Sequence, residues 1–122
     1  MSKAPLAGST PSVQQHFENR VPDVRAIYER ILASAGKLGP VREAPKKTSI
    51  HLERKSAFAG VATRKTSLIL TLKSATDIRS PRIVKREQAS ANRWHLEVRL
   101  ETPAAVDREL AGWIKAAYEL AG

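Results

Sequence analysis

Residues 67–74 read S-L-I-L-T-L-K-S, and their alternation decides the fold. Leu68, Leu70 and Leu72 fall on one side of an extended chain and Ile69, Thr71 and Lys73 on the other, because successive side chains of a strand point to opposite faces. Working outward, Arg64-Lys65-Thr66 reads as a turn. Before it, Phe58 to Thr63 is small and strand-compatible, with Gly60 marking a bulge or a close backbone approach. Ile50 and Leu52 alternate with Ser49, His51 and Glu53, a further strand with one dry face. Downstream, Ser74 to Pro81 reads as loop and Ile83 to Gln88 as a short strand. Asn92-Arg93 then turns into Trp94, Leu96, Val98 and Leu100, which alternate with His95, Glu97, Arg99 and Glu101. Connections this short imply antiparallel pairing, since parallel neighbours need long crossovers.

Helical signals flank these strands. Thr10-Pro11 looks like a cap followed by proline at the first helical position, and a short helix bringing Val13 and Phe17 together is expected to end near Asn19. Pro22 opens a second helix, with Asp23 in its first turn. Its stripe is Val24, Ile27, Tyr28, Ile31, Leu32 and Ala35, and Gly36 and Pro40 stop it. Thr102-Pro103 repeats the cap-then-proline signal before a last stripe of Val106, Leu110, Trp113, Ile114, Ala117, Tyr118 and Ala121. That face must lie on something, and the dry side of the sheet is the available partner. The expected architecture is α+β: two N-terminal helices, an antiparallel sheet of four to five strands and one C-terminal helix packed on it. A disordered tail is expected at 1–11 and a single domain at 12–122, a length suited to one core.

Composition narrows the partners. There is no cysteine, so disulfide, Cys-zinc and Cys-redox chemistry are excluded and a reducing cytoplasm fits. No apolar run approaches a membrane span, and the N-terminus lacks the apolar stretch of a secretory signal. Lys and Arg number 21 against 12 acids, a net charge of +9. Residues 41–93 hold 13 basic and 4 acidic groups, so the surplus sits in the strand region. A concentrated positive field favours polyanions, acidic proteins or anionic ligands.

The landmarks Lys47, Ile50, Arg54, Phe58, Ala59, the Leu68/Leu70/Leu72 strand, Trp94-His95 and the run D-x-E-L-x-x-W-I-x-x-A-Y from Asp107 to Tyr118 together resemble a family of small bacterial domains of unknown function, number fifty-six fifty-five. The last run is the most specific part, and the resemblance extends from about Val13 to the C-terminus. It implies a soluble bacterial α+β unit, found alone or attached to other domains, and it carries over no catalytic residue. Such domains often show paired histidines where this chain has Trp94-His95.

Two constellations carry chemistry. The first is the basic set Lys47, Arg54, Lys55, Arg64, Lys65, Arg82, Lys85 and Arg86, with Lys46, Arg79 and Arg93 nearby. Pairs at successive strand ends and turns are expected to line up along one edge and bind phosphates by counterion release. Base stacking on single strands is not expected, because Phe17, Tyr28, Phe58, Trp94, Trp113 and Tyr118 all occupy apolar positions, and without a helix-turn-helix, ribonucleoprotein or zinc-finger signature sequence-specific reading is not expected either. The second is the wet face of the sheet, where His51 and Glu53 share one side of their strand and His95 and Glu97 one side of theirs. Were the two strands neighbours, these four would suit a metal or an acid–base pair; otherwise they form a solvated face with cross-strand ion pairs. Gly60 leaves room for a ligand between sheet and helix, or simply lets the helix pack closely.

Glycine-loop, nucleophile-elbow and H-E-x-x-H signatures are all missing from the sequence. The expected function is therefore a non-catalytic binding or accessory module, with no cofactor, that contacts an anionic partner such as nucleic acid. The alternatives are a small-molecule or metal site on the His/Glu face and a self-associating structural module, so both monomer and homodimer stay open.

Overall fold

The computed structural model describes residues 11–122, in which six strands form one antiparallel sheet with two helices on a single face. The strands are β1 (Arg42–Pro45), β2 (Ile50–Glu53), β3 (Ala57–Thr63), β4 (Leu68–Ser74), β5 (Ile83–Ser90) and β6 (Arg93–Leu100). The helices are α1 (Pro22–Gly36) and α2 (Arg108–Leu120). Spatial order is β1-β2-β3-β4-β6-β5, so the chain meanders through four strands, crosses to the far edge as β5 and returns as β6 beside β4. No helix among the described residues is long and apolar enough to cross a membrane.

The alternation read from 67–74 holds residue by residue. Leu68, Leu70 and Leu72 of β4, Leu96, Val98 and Leu100 of β6, and Ile50 and Leu52 of β2 are all buried. Against them α2 places Leu110, Ile114, Ala117 and Tyr118, and α1 places Val24, Ile27, Tyr28, Ile31 and Ala35. Burying this many large apolar side chains is the main favourable term for the fold. The other sheet face, carrying His51, Gly60, Ala62, Thr71, Lys73, His95 and Glu97, has no helix over it among the described residues.

Four expectations are corrected. The sheet has six strands where four to five were expected, because β1 reads R-E-A-P and carries no apolar alternation. It is a short exposed edge, with Pro45 tolerated there because an edge need not donate on both sides. Tertiary contacts place it: Tyr28 donates a 2.6 Å hydrogen bond from α1 to Glu43. Burial, and then the neighbouring Glu43 carboxylate, hold the Tyr28 hydroxyl well above the usual tyrosine range.

The first of the two expected N-terminal helices is only a 3₁₀ turn, Gln14–Phe17. Ser12 and Gln15 cap it reciprocally, each side chain accepting from the other's backbone N–H at 3.3 and 3.0 Å, and Asn19 ends the segment at φ 60°. So few residues cannot offset the cost of nucleating an α-helix. Thr10, expected as a cap, and most of the 1–11 tail lie outside the described residues.

Thr102-Pro103 likewise heads its own 3₁₀ turn, Pro103–Ala105, and the cap of α2 is Asp107, whose carboxylate accepts from Leu110 N–H at 3.0 Å. The bulge suspected at Gly60 lies at Phe58 instead: Leu52 pairs with Ala59 and Glu53 with Ala57, leaving Phe58 without a partner. The bulge turns Phe58 inward, edge-on to Tyr118 at 5.3 Å.

Gly39 has a backbone reason to be glycine. Its φ is +153°, and a Cβ there would collide with the Tyr118 hydroxyl, which donates a 3.0 Å hydrogen bond to the Pro40 carbonyl. The loop leaving α1 is thereby tied to the last turn of α2.

Candidate functional site

The basic side chains do not line up along one edge. In an antiparallel meander successive turns fall at opposite ends of the sheet, so Lys47 of the β1–β2 turn and Arg64 and Lys65 of the β3–β4 turn share one end, while Arg54 and Lys55 of the β2–β3 turn lie at the other. Three of the expected anion-binding residues are occupied within the fold. Arg54 donates to the Tyr118 carbonyl at 3.2 Å and stacks on its ring at 4.4 Å, bringing positive charge to the carbonyl end of α2.

Arg82 is the most heavily engaged. It pairs with Asp107 at 2.9 Å and Glu109 at 3.0 Å, donates to the Ala105 carbonyl at 2.7 Å and lies 5.7 Å from the Trp113 ring centre. Hydrogen bonding to Asp107 raises the Arg82 pKa further. The Leu110 N–H, and then Arg82, hold the Asp107 carboxyl below the usual range. Arg86 pairs with Asp77 at 2.8 Å and donates to the Ile78 carbonyl at 3.3 Å, pinning the loop before β5. Lys85 stays exposed on β5, directly across from Glu97.

What remains is concentrated at the end shared by the first and third turns. Lys46-Lys47-Thr48-Ser49 and Arg64-Lys65-Thr66-Ser67 are nearly the same tetrad, and both close with the same backbone hydrogen bond. Lys46 N–H donates to Ser49 O at 2.7 Å and Arg64 N–H to Ser67 O at 2.8 Å. The two hairpins are two strand spacings apart, about 10 Å.

The N-terminal segment clasps both turns. His16 Nε2 bonds the Lys46 carbonyl at 2.8 Å, the Thr63 hydroxyl donates to the His16 carbonyl, Arg20 donates to Thr63 Oγ1 at 3.1 Å, and Val21 N–H donates to Lys65 O at 3.0 Å. Lys46, Lys47, Arg64 and Lys65 are all exposed, and none is in an ion pair among the described residues. Arg20 adds a fifth positive group beside them. The repeated tetrad was visible in the sequence; only the topology shows that both copies face the same way.

The His/Glu constellation does not converge. His51 and His95 share the open face, but β3 and β4 stand between their strands, which puts the two backbones about 14 Å apart. Glu53 is held by Arg42, whose hydrogen bond lowers the carboxyl pKa below the usual range. Glu97 faces Lys85, and His95 Nδ1 lies 4.0 Å from Glu87. Half of this face is therefore a ladder of cross-strand charges. No group of three or more His, Cys, Asp or Glu among the described residues is arranged to hold a metal.

The other half is a depression of about 320 Å³ over β3. Ala57, Gly60 and Ala62 make its floor, with Ser49 and His51 on one side and Thr71, Lys73 and His95 on the other. The room left by Gly60 thus opens on the uncovered face, not between sheet and helix as the sequence suggested.

Neither the curated proteins nor the solved structures contain a match to this chain. The family model described as Domain of unknown function (DUF5655) matches residues 13–121, a span that takes in both helices, the whole sheet and the D-x-E-L-x-x-W-I-x-x-A-Y run; the chain belongs to that family.

Proposed function

We propose that the protein is a non-catalytic binding module that holds a phosphate-bearing polyanion, nucleic acid in the first instance, on its paired basic turns. The observation that carries this reading is the twin tetrad: two turns of matching sequence and matching closure, on the same end of the sheet, offering Lys46, Lys47, Arg64 and Lys65 without acidic partners among the described residues. Phosphate contacts need little more than cations at a spacing the backbone can follow. A separation of about 10 Å corresponds to roughly three base-pair steps along the duplex axis. The aromatic side chains are in or against the core, so contact is through the backbone and tolerant of sequence.

The test is binding of the purified protein to a labelled duplex of mixed sequence at low salt. The double variant Lys47→Ala/Lys65→Ala removes one cation from each turn and loses affinity, whereas Lys115→Ala on α2, exposed on the helical side of the sheet, does not. Equal loss from both variants would mean that net charge alone is read, and no loss from the double variant would remove the turns from the site.

A further inference from the structure

Gly60 sits in the middle of an interior strand, where glycine weakens pairing and packs nothing, and the fold gives it no conformational reason to be there. A glycine is required where the backbone is left-handed or a neighbour leaves no room for Cβ. Neither applies. The positive-φ glycine among the described residues is Gly39, and a Cβ on Gly60 would meet nothing nearer than Thr71 Cβ at 4.0 Å. What a side chain at this position would take away is the open depression itself.

That depression has a consistent chemistry. Its volume, about 320 Å³, is at the lower end of small-molecule sites. The floor of Ala57, Gly60 and Ala62 is flat and apolar. The rim supplies the Lys73 ammonium, the His51 and His95 imidazoles and the hydroxyls of Ser49 and Thr71, and no carboxylate lines it. The register explains how the rim forms across four strands: His51, Gly60 and Thr71 lie in one row, and Lys73 and His95 sit side by side in the next. The acids of this face stand beside the depression and not in its lining: Glu97 is in register with Thr71 on one side and Lys85 on the other, and Glu87 lies 4.0 Å from His95 Nδ1 on the outer side.

We propose that this depression binds a small organic carboxylate with a flat apolar body, the ring lying over Gly60, the carboxylate held by Lys73 and the neighbouring His95, and His51 flanking the ring on the opposite rim. A planar body uses the missing side chain, and the anionic group uses a rim that offers hydrogen-bond donors and the Lys73 ammonium, with no carboxylate among its lining residues. This site is separate from the paired turns.

Benzoate is the test ligand, titrated into isotopically labelled protein while the Gly60 amide and the His51 and His95 ring resonances are followed. Saturable shifts confined to these residues are expected at millimolar concentrations, the affinity expected of so small a ligand. Benzamide, of the same shape without the charge, and the Lys73→Met variant should each bind about tenfold more weakly. Gly60→Val fills the depression with a residue that strands favour, so it should fold with an unchanged or higher melting temperature and abolish the shifts. Lys47→Ala/Lys65→Ala should leave benzoate binding unchanged. The proposal is overturned if benzoate causes no localised shifts, if benzamide or inorganic phosphate reproduces them at the same concentration, or if Gly60→Val still binds.

Discussion

Truncating Arg82 should cost stability and leave polyanion binding intact. Arg82→Ala removes the 2.7 Å hydrogen bond to the Ala105 carbonyl, the contact with the Trp113 ring and the pairs with Asp107 and Glu109. The two acids are exposed, so solvent screens those pairs and they add little. A hydrogen bond from a charged donor to a part-buried carbonyl contributes about 1.5 kcal/mol, and the cation over the indole about 0.5 kcal/mol. The sum is about 2 kcal/mol, which for a chain of this length lowers the melting temperature by about 8 °C. Thermal unfolding followed by circular dichroism measures this, with duplex binding assayed on the same samples below the transition. A variant that melts like the wild type but loses affinity would refute the assignment, placing Arg82 in the binding surface and not in the fold.

Gly39→Ala should be destabilising by about 2 kcal/mol, since it sets a side chain in a backbone region reserved for glycine and drives Cβ against the Tyr118 hydroxyl; denaturant unfolding checks it. Gly36→Ala, at a glycine with open space around the would-be Cβ, should cost far less. The pH dependence of stability should carry the mark of Asp107. Its carboxyl is held low in the fold by the Leu110 N–H and by Arg82, so its contribution is complete above the ordinary aspartate value of about 3.9 and fades as pH falls through the lower folded value. Asp107→Asn keeps a capping side chain but removes the titration. The gap between wild type and variant should therefore be constant near neutrality and shrink as the pH falls below about 4; a gap that widens on acidification would reverse the sign of the argument.

The elements that could be read from the chain are those with a long unbroken period. β4 and β6 alternate for their whole length, and the stripes of α1 and α2 run for three turns or more, so local pattern and tertiary burial agree. β1 was not legible because it has no dry face of its own; β2 and Tyr28 supply the partners that make it a strand. Thr102 misled because the cap of α2 is Asp107. A residue followed by proline marks where a helical turn can begin, and whether it continues depends on the apolar surface behind it.

The basic residues were identified by type but not by place. Only the meander shows which turns share an end, and only the contacts show that Arg54, Arg82 and Arg86 already have partners. The face of Gly60 was hidden by the bulge at Phe58, which shifts the parity of β3. His51 and His95 looked alike because both begin His-Leu-Glu, and strand order separated them.

The central claim is that four paired-turn cations contact phosphates, and the salt dependence of duplex binding tests it most directly. Four such contacts predict a slope of about −3.6 in log affinity against log salt, or roughly a 150-fold loss between about 50 and 200 mM. Lys47→Ala/Lys65→Ala should reduce the slope by about 1.8. A wild-type slope near zero, or one that the double variant leaves unchanged, would contradict the account.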